Sequence, residues 1–165
     1  MTARRAAGLD RKAVAELVAE NYPALALRLL RPLLDLFALA REGCGGDLDK
    51  FLIMLVIAVR TTEHGLFATY SQAQLLSGEI PVFPTLGTNA RSIAASVGLP
   101  RESVRRKVAE LVEAGWIKRQ GNELQFTTAA YQDLAPVRVA IEQLAVRNFD
   151  TIASLIRSKP GEGEG

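Results

Sequence analysis

One cysteine and one histidine are all the thiol and imidazole in these 165 residues. Cys44 therefore has no disulfide partner within the chain. Cys44 and His64 stand alone in separate segments and make no zinc site. Neither a metal nor a cofactor is expected. Glu63 and His64 could be imagined as an acid and a base, but no nucleophile or glycine-rich phosphate loop accompanies them. No catalytic residue is assigned, and the chain is not expected to be an enzyme. His64 reads as a helix-end residue, with an effector pocket as the alternative.

Long apolar runs are missing too. The longest, Phe51 to Val59, has nine residues, against the roughly 20 that a membrane-spanning helix needs. The early arginines have no apolar stretch behind them, so no signal peptide is read there. A cytoplasmic protein without a membrane partner is expected. Charge of one sign is scarce: 20 basic and 18 acidic residues leave a net +2. A strongly basic body is thereby excluded, and the distribution of charge matters more than its sum. Residues 1–84 hold 9 basic and 9 acidic side chains, residues 131–165 hold 4 and 5, and residues 85–130 hold 7 and 4. The excess is local. Internal repeats are lacking as well.

What is present is apolar content, 48% of the chain, enough for a sizeable core. Asp10 can cap a first helix reaching Val18 or Glu20. Asn21 can cap a second, with Pro23 in its first turn, running to about Arg41 and ending before Gly43. Pro32 predicts a kink or break inside it. Residues 43–47 form a loop. Asp47 or Asp49 then opens a helix to Arg60 or beyond, so apolar all round that burial on every side is expected. A further helix spans roughly Leu66 to Leu76, and the two prolines of SGEIPVFPTLGT make a linker. Tyr131 to Phe149 reads as a helix with Pro136 in its first turn. Asp150 can cap a last short one, and the tail 159–165 should fray.

Residues 85–130 carry the functional signal. Thr88 is a candidate cap for a short helix that buries Ile93, Ala94 and Val97. Gly98 offers a left-handed turn. Pro100 then enters a second helix, where Val104, Val108, Leu111 and Val112 make a buried stripe. The opposite face collects Arg101, Ser103, Arg105, Arg106 and Lys107. Arginine can bind guanine O6 and N7 through two N–H groups, or a phosphate. Arg101, Ser103 and Arg105 or Arg106 are read as approaching base edges, and Arg91 and Lys107 as meeting phosphates. A merely solvated face, with Glu102 and Arg106 paired at i,i+4, is the alternative.

Gly115 closes that helix, and Trp116 is expected to seal it to a hairpin. Gly121-Asn122 supplies the tight turn. Leu124 and Phe126 point inward, while Glu123, Gln125 and Thr127 point out. Lys118, Arg119, Gln120 and Asn122 sit at or near the hairpin tip.

The stretch NARSIAASVGLPRESVRRKVAELVEAGWIKRQGNELQFT resembles the winged helix-turn-helix of bacterial regulators, MarR-like above all and GntR-like next. The resemblance rests on Ser92, Ile93-Ala94, Val97-Gly98-Leu99, Arg101, Val104, Val108, Leu111 and Gly115-Trp116-Ile117. Pro100 departs from it, standing where Ser or Thr is common. The resemblance implies a second helix in the major groove, with Arg101, Ser103, Arg105 and Arg106 on DNA and Arg119 as the basic wing residue. It also implies a homodimer formed by the first and last helices, and a pocket for a small-molecule effector.

The expected fold is mainly α with a small β-hairpin, a winged helix-turn-helix flanked by N- and C-terminal helices. Residues 1–84 and 131–158 are assigned to dimerisation, 85–130 to DNA and 159–165 to a flexible tail. The expected function is a sequence-specific, double-stranded-DNA-binding transcriptional regulator. A winged-helix protein-interaction or scaffold module that binds no DNA is the alternative.

Overall fold

The computed structural model describes residues 10–158; the tail 159–165 lies outside the described residues. The chain divides into two units. One is continuous, Leu39–Val137. The other joins residues 10–38 with residues 138–158.

The continuous unit holds the module. Helix α1 spans Arg11–Glu20 and α2 spans Tyr22–Gly43. The last turn of α2 delivers the chain to the 43–47 loop, and α3 (Leu48–Thr62) follows. Asp47 starts α3: its carboxylate accepts the amide N–H groups of Asp49 (3.0 Å) and Lys50 (3.3 Å), two donors that the first turn leaves unpaired. Phe51, Ile53, Met54 and Ile57 are buried. Leu55 and Val59 stay 40% and 46% exposed. The helix therefore buries one broad face and not, as its composition suggested, every side.

The segment expected as one helix from Leu66 to Leu76 is two pieces, a 3₁₀ turn Phe67–Thr69 and α4 (Gln72–Ser77). Ser71 interrupts them. Its hydroxyl accepts the Gln74 amide and the Gln74 side chain accepts the Ser71 amide, a reciprocal cap that starts a new helix. The proline-rich stretch is not a linker. Phe83 is fully buried, its amide donates to Phe126 O at 3.0 Å, and Val82 bridges to Thr127. The Phe83 ring lies within 6.1 Å of the rings of Phe67, Phe126 and Tyr131. The prolines shape a strand-like segment that the core uses.

Helix α5 spans Ala90–Val97 and α6 spans Arg101–Glu113. Asn89, not Thr88, caps α5, accepting the Ser92 amide at 3.0 Å. Thr88 is buried, and its carbonyl accepts the Leu124 amide at 2.9 Å, which ties the approach to α5 onto the hairpin. Gly98 turns at φ +70°, where a Cβ would be strained, and Pro100 occupies the cap position of α6. Strands β1 (Ile117–Gln120) and β2 (Glu123–Phe126) pair antiparallel, Ile117 opposite Phe126 and Gln120 opposite Glu123, around Gly121-Asn122. Thr127 turns inward, contrary to the alternation. Its hydroxyl donates to Gly115 O at 2.7 Å and accepts the Ala130 amide, capping α7 (Thr128–Asp133). Helix α3 packs on α5, α6 and β2. The result is a winged-helix-type arrangement within a mainly helical chain, with one isolated bridge, Val82–Thr127, beside the two-stranded hairpin.

The second unit consists of α1, the first part of α2 and most of α8 (Ala135–Ser158). Pro32 lies inside one continuous α2 and does not break it. Pro136 falls in the first turn of α8, where its missing N–H costs nothing. Asp150 starts no new helix, because α8 runs through it. Leu17, Leu25, Leu36 and Ala153 are buried. Leu27, Leu34 and Phe149 remain 77%, 64% and 61% exposed, with Leu30 and Val146 about half exposed. This unit leaves much of its apolar surface in water.

Candidate nucleic-acid interface

Helix α6 divides by its 3.6-residue period. Val104, Lys107, Val108 and Leu111 fall at i, i+3, i+4 and i+7, and all four are buried. Arg101, Glu102, Arg105 and Arg106 are exposed on the other side, with Ser103 half-buried at the margin. The packed stripe fixes the helix on α3, α5 and β1, so its outer face is rigidly presented. Arg91 is exposed in the first turn of α5, and Lys118 and Arg119 are exposed on β1. Arg91, Arg101, Arg106, Lys118 and Arg119 have no hydrogen-bond or ion-pair partner among the described residues. Their donors are available to an anion.

Lys107 does not belong to that set. Its side chain points inward and is 8% exposed. The ammonium donates to Asp47 Oδ2 and lies 3.5 Å from Asp49 Oδ2. The hydrogen bond that Lys107 donates to Asp47, aided by the charges of both aspartates, raises the lysine's pKa despite its burial. Burial alone would raise the Asp47 carboxyl. The Lys107 ammonium and the amides of Lys50 and Asp49 outweigh it and hold the group below its ordinary value. Lys107, read as a phosphate contact, instead forms a part-buried ion pair with the residue that caps α3. Beside it, Lys50 Nζ lies 2.7 Å from Glu110 Oε2, and that hydrogen bond lowers the Glu110 pKa. Glu110 is thereby drawn toward α3.

Arg105 is paired in a different way. Its Nε and Nη2 donate to Glu102 Oε2 and Oε1 at 3.0 and 2.8 Å, a two-pronged contact at i,i+3. The hydrogen bond lowers the pKa of Glu102 and raises that of Arg105. Spacing suggested Glu102 with Arg106; the carboxylate takes Arg105. Trp116 is half-buried, and its Nε1 donates to Asp133 Oδ2 at 2.8 Å. It links the hairpin to α7 through a polar contact and does not seal the helix with a fully buried ring.

The sequence held a signal for Lys107, which fills the i+3 slot of the buried stripe. It held none for the partners, since Asp47 is 60 positions away. The Cys44 thiol is buried, and burial, with the Asp47 charge adding, pushes its pKa up to about 11. Among the described residues no cluster of His, Cys, Asp or Glu could hold a metal ion, and no helix is long and apolar enough to cross a membrane. No family model, curated protein or solved structure matches the chain.

Proposed function

We propose that this chain is a double-stranded-DNA-binding transcriptional regulator of the MarR-like kind that acts as a homodimer. The observation that carries the reading is the division of α6: one face locked into the core, the other presenting Arg101, Arg105 and Arg106 in the first two turns. That is the part of a helix that enters a major groove. Arg91, Lys118 and Arg119 supply flanking phosphate contacts, and Ser103 a short-range donor at the margin. Lys107 has no part in the contact.

Dimerisation is supported by the exposed leucines of α2 and the exposed Val146 and Phe149 of α8. One recognition helix covers a few base pairs, and a two-fold pair reads two half-sites. An effector enters this reading as a small molecule that favours one half-site spacing.

A second reading is a winged-helix protein-docking module without DNA. It is favoured by the neutralised Arg105 and by the exposed Leu55 and Val59. Titration of the full chain against duplex DNA over a range of salt separates the two. A DNA binder gives log K falling linearly with log salt, and selected sequences exceed random ones by orders of magnitude. No affinity for any duplex at low salt would leave the docking module.

A further inference from the structure

Glu102 sits among arginines on the face assigned to DNA, where a carboxylate opposes phosphate binding. The helix dipole favours an acid in the first turn, which accounts for its place on the helix but not for what it holds. What it holds is one side of a guanidinium. Glu102 takes the Nε and Nη2 donors of Arg105, at 3.0 and 2.8 Å, with the two side chains 76% and 72% exposed. The i,i+3 spacing keeps both residues on one strip of the helix. Glu110, further along, is turned away to Lys50.

We infer that Glu102 is a selectivity residue, which steers Arg105 toward a base edge and away from phosphates. The inference rests on the DNA-binding reading above. A guanidinium carries five N–H groups in a fixed fork. Glu102 occupies the side edge, one Nε–H and one Nη2–H. The end edge, an Nη1–H with the second Nη2–H, stays open. Two parallel donors of that kind match guanine O6 and N7. A phosphate brings a full negative charge beside the Glu102 carboxylate and is repelled; guanine presents only partial charges. The pair is neutral as a whole, so Arg105 adds little to the salt-dependent attraction common to all sequences. Arg101 and Arg106 supply that attraction, and Arg105 discriminates.

The test uses the full chain as wild type, Glu102→Gln, Arg105→Ala and the double variant. Each is titrated over a range of salt against a random-sequence duplex and against duplexes that the wild type enriches from a randomised library. Glu102→Gln is expected to tighten random-duplex binding about tenfold at low salt. It should steepen the log K against log salt slope by about 0.9, one further phosphate. The ratio of selected to random affinity should fall about tenfold, the scale of one base contact. In the Arg105→Ala background the same change should leave that ratio where it was. A wild type that binds no duplex overturns the DNA reading and this inference with it. A selective wild type whose Glu102→Gln variant keeps both slope and ratio, at an unchanged melting temperature, overturns this inference alone.

Discussion

The carboxylate of Asp47 is shared between two helices. One oxygen accepts the amides that open α3, and the other accepts the Lys107 ammonium from the middle of α6. The start of one helix and the seating of the next therefore depend on a single side chain.

Removing one partner should be costly because the other stays partly buried and charged. Lys107→Ala is expected to destabilise the chain by about 2–3 kcal/mol, below the 3–5 of a fully buried pair because Asp47 keeps some access to water. Lys107→Met with Asp47→Asn should recover most of that loss, since neither side then leaves a charge unpaired. Urea unfolding of the single and double variants measures the coupling. Additive losses would show that the two groups act independently.

Cys44 sets an alkaline limit. The folded thiol titrates near 11 against an ordinary 9.0, so the native state favours the protonated form. Its contribution is complete below pH 9 and is lost as pH rises toward 11, a change of about 2–3 kcal/mol. Lys107, also raised, keeps its share below the ordinary lysine value and loses it as pH rises through its folded one. Cys44→Ala should flatten the stability profile between those limits. The native thiol should also react slowly with a disulfide reagent at neutral pH and quickly once urea is added.

Phe83 should matter more to stability than Trp116, which the sequence marks as the seal of the hairpin. Phe83→Ala empties a fully buried ring site between Phe67, Phe126 and Tyr131, and should cost about 3–5 kcal/mol. Trp116→Ala removes a half-buried ring and one hydrogen bond to Asp133, and should cost about 1–2 kcal/mol. Thermal melts of the two variants decide the order.

Arg101→Ala with Arg106→Ala should abolish duplex binding while shifting the melting temperature by no more than a degree or two, because both side chains are exposed and unpaired. Unchanged affinity for a selected duplex would move the contact surface off α6.

Leu34→Glu with Phe149→Glu should make the chain monomeric by sedimentation. Both side chains are largely exposed in the single chain, so a charge there costs little until a partner must cover it. A chain that stays dimeric with both changes would place the interface elsewhere.

Much of the module was legible in the sequence because its signals are local. Gly98, Gly115 and Gly121 each take the left-handed turn that their positions demand, and Val104, Val108 and Leu111 form the stripe. Legibility failed where one residue answers to a distant one. Lys107 shows its type within α6, but its direction depends on Asp47. The prolines around Phe83 read as a linker because pairing with Phe126 lies over 40 positions away. At the candidate site, the exposed arginines followed from periodicity. The Arg105 fork did not, since i,i+3 and i,i+4 partners compete on equal terms until side chains are placed.

The division of the chain also has a consequence for how it is made. Residues 39–137 are contiguous, so everything that unit needs has been synthesised once Val137 has emerged. The other unit draws on chain from both sides of it. Its leucine-rich α2 leaves the ribosome early and has no α8 until residues 138–158 follow. Until then the apolar face of α2 lacks the α8 segment of its own unit, the condition in which incomplete folding leaves apolar surface exposed.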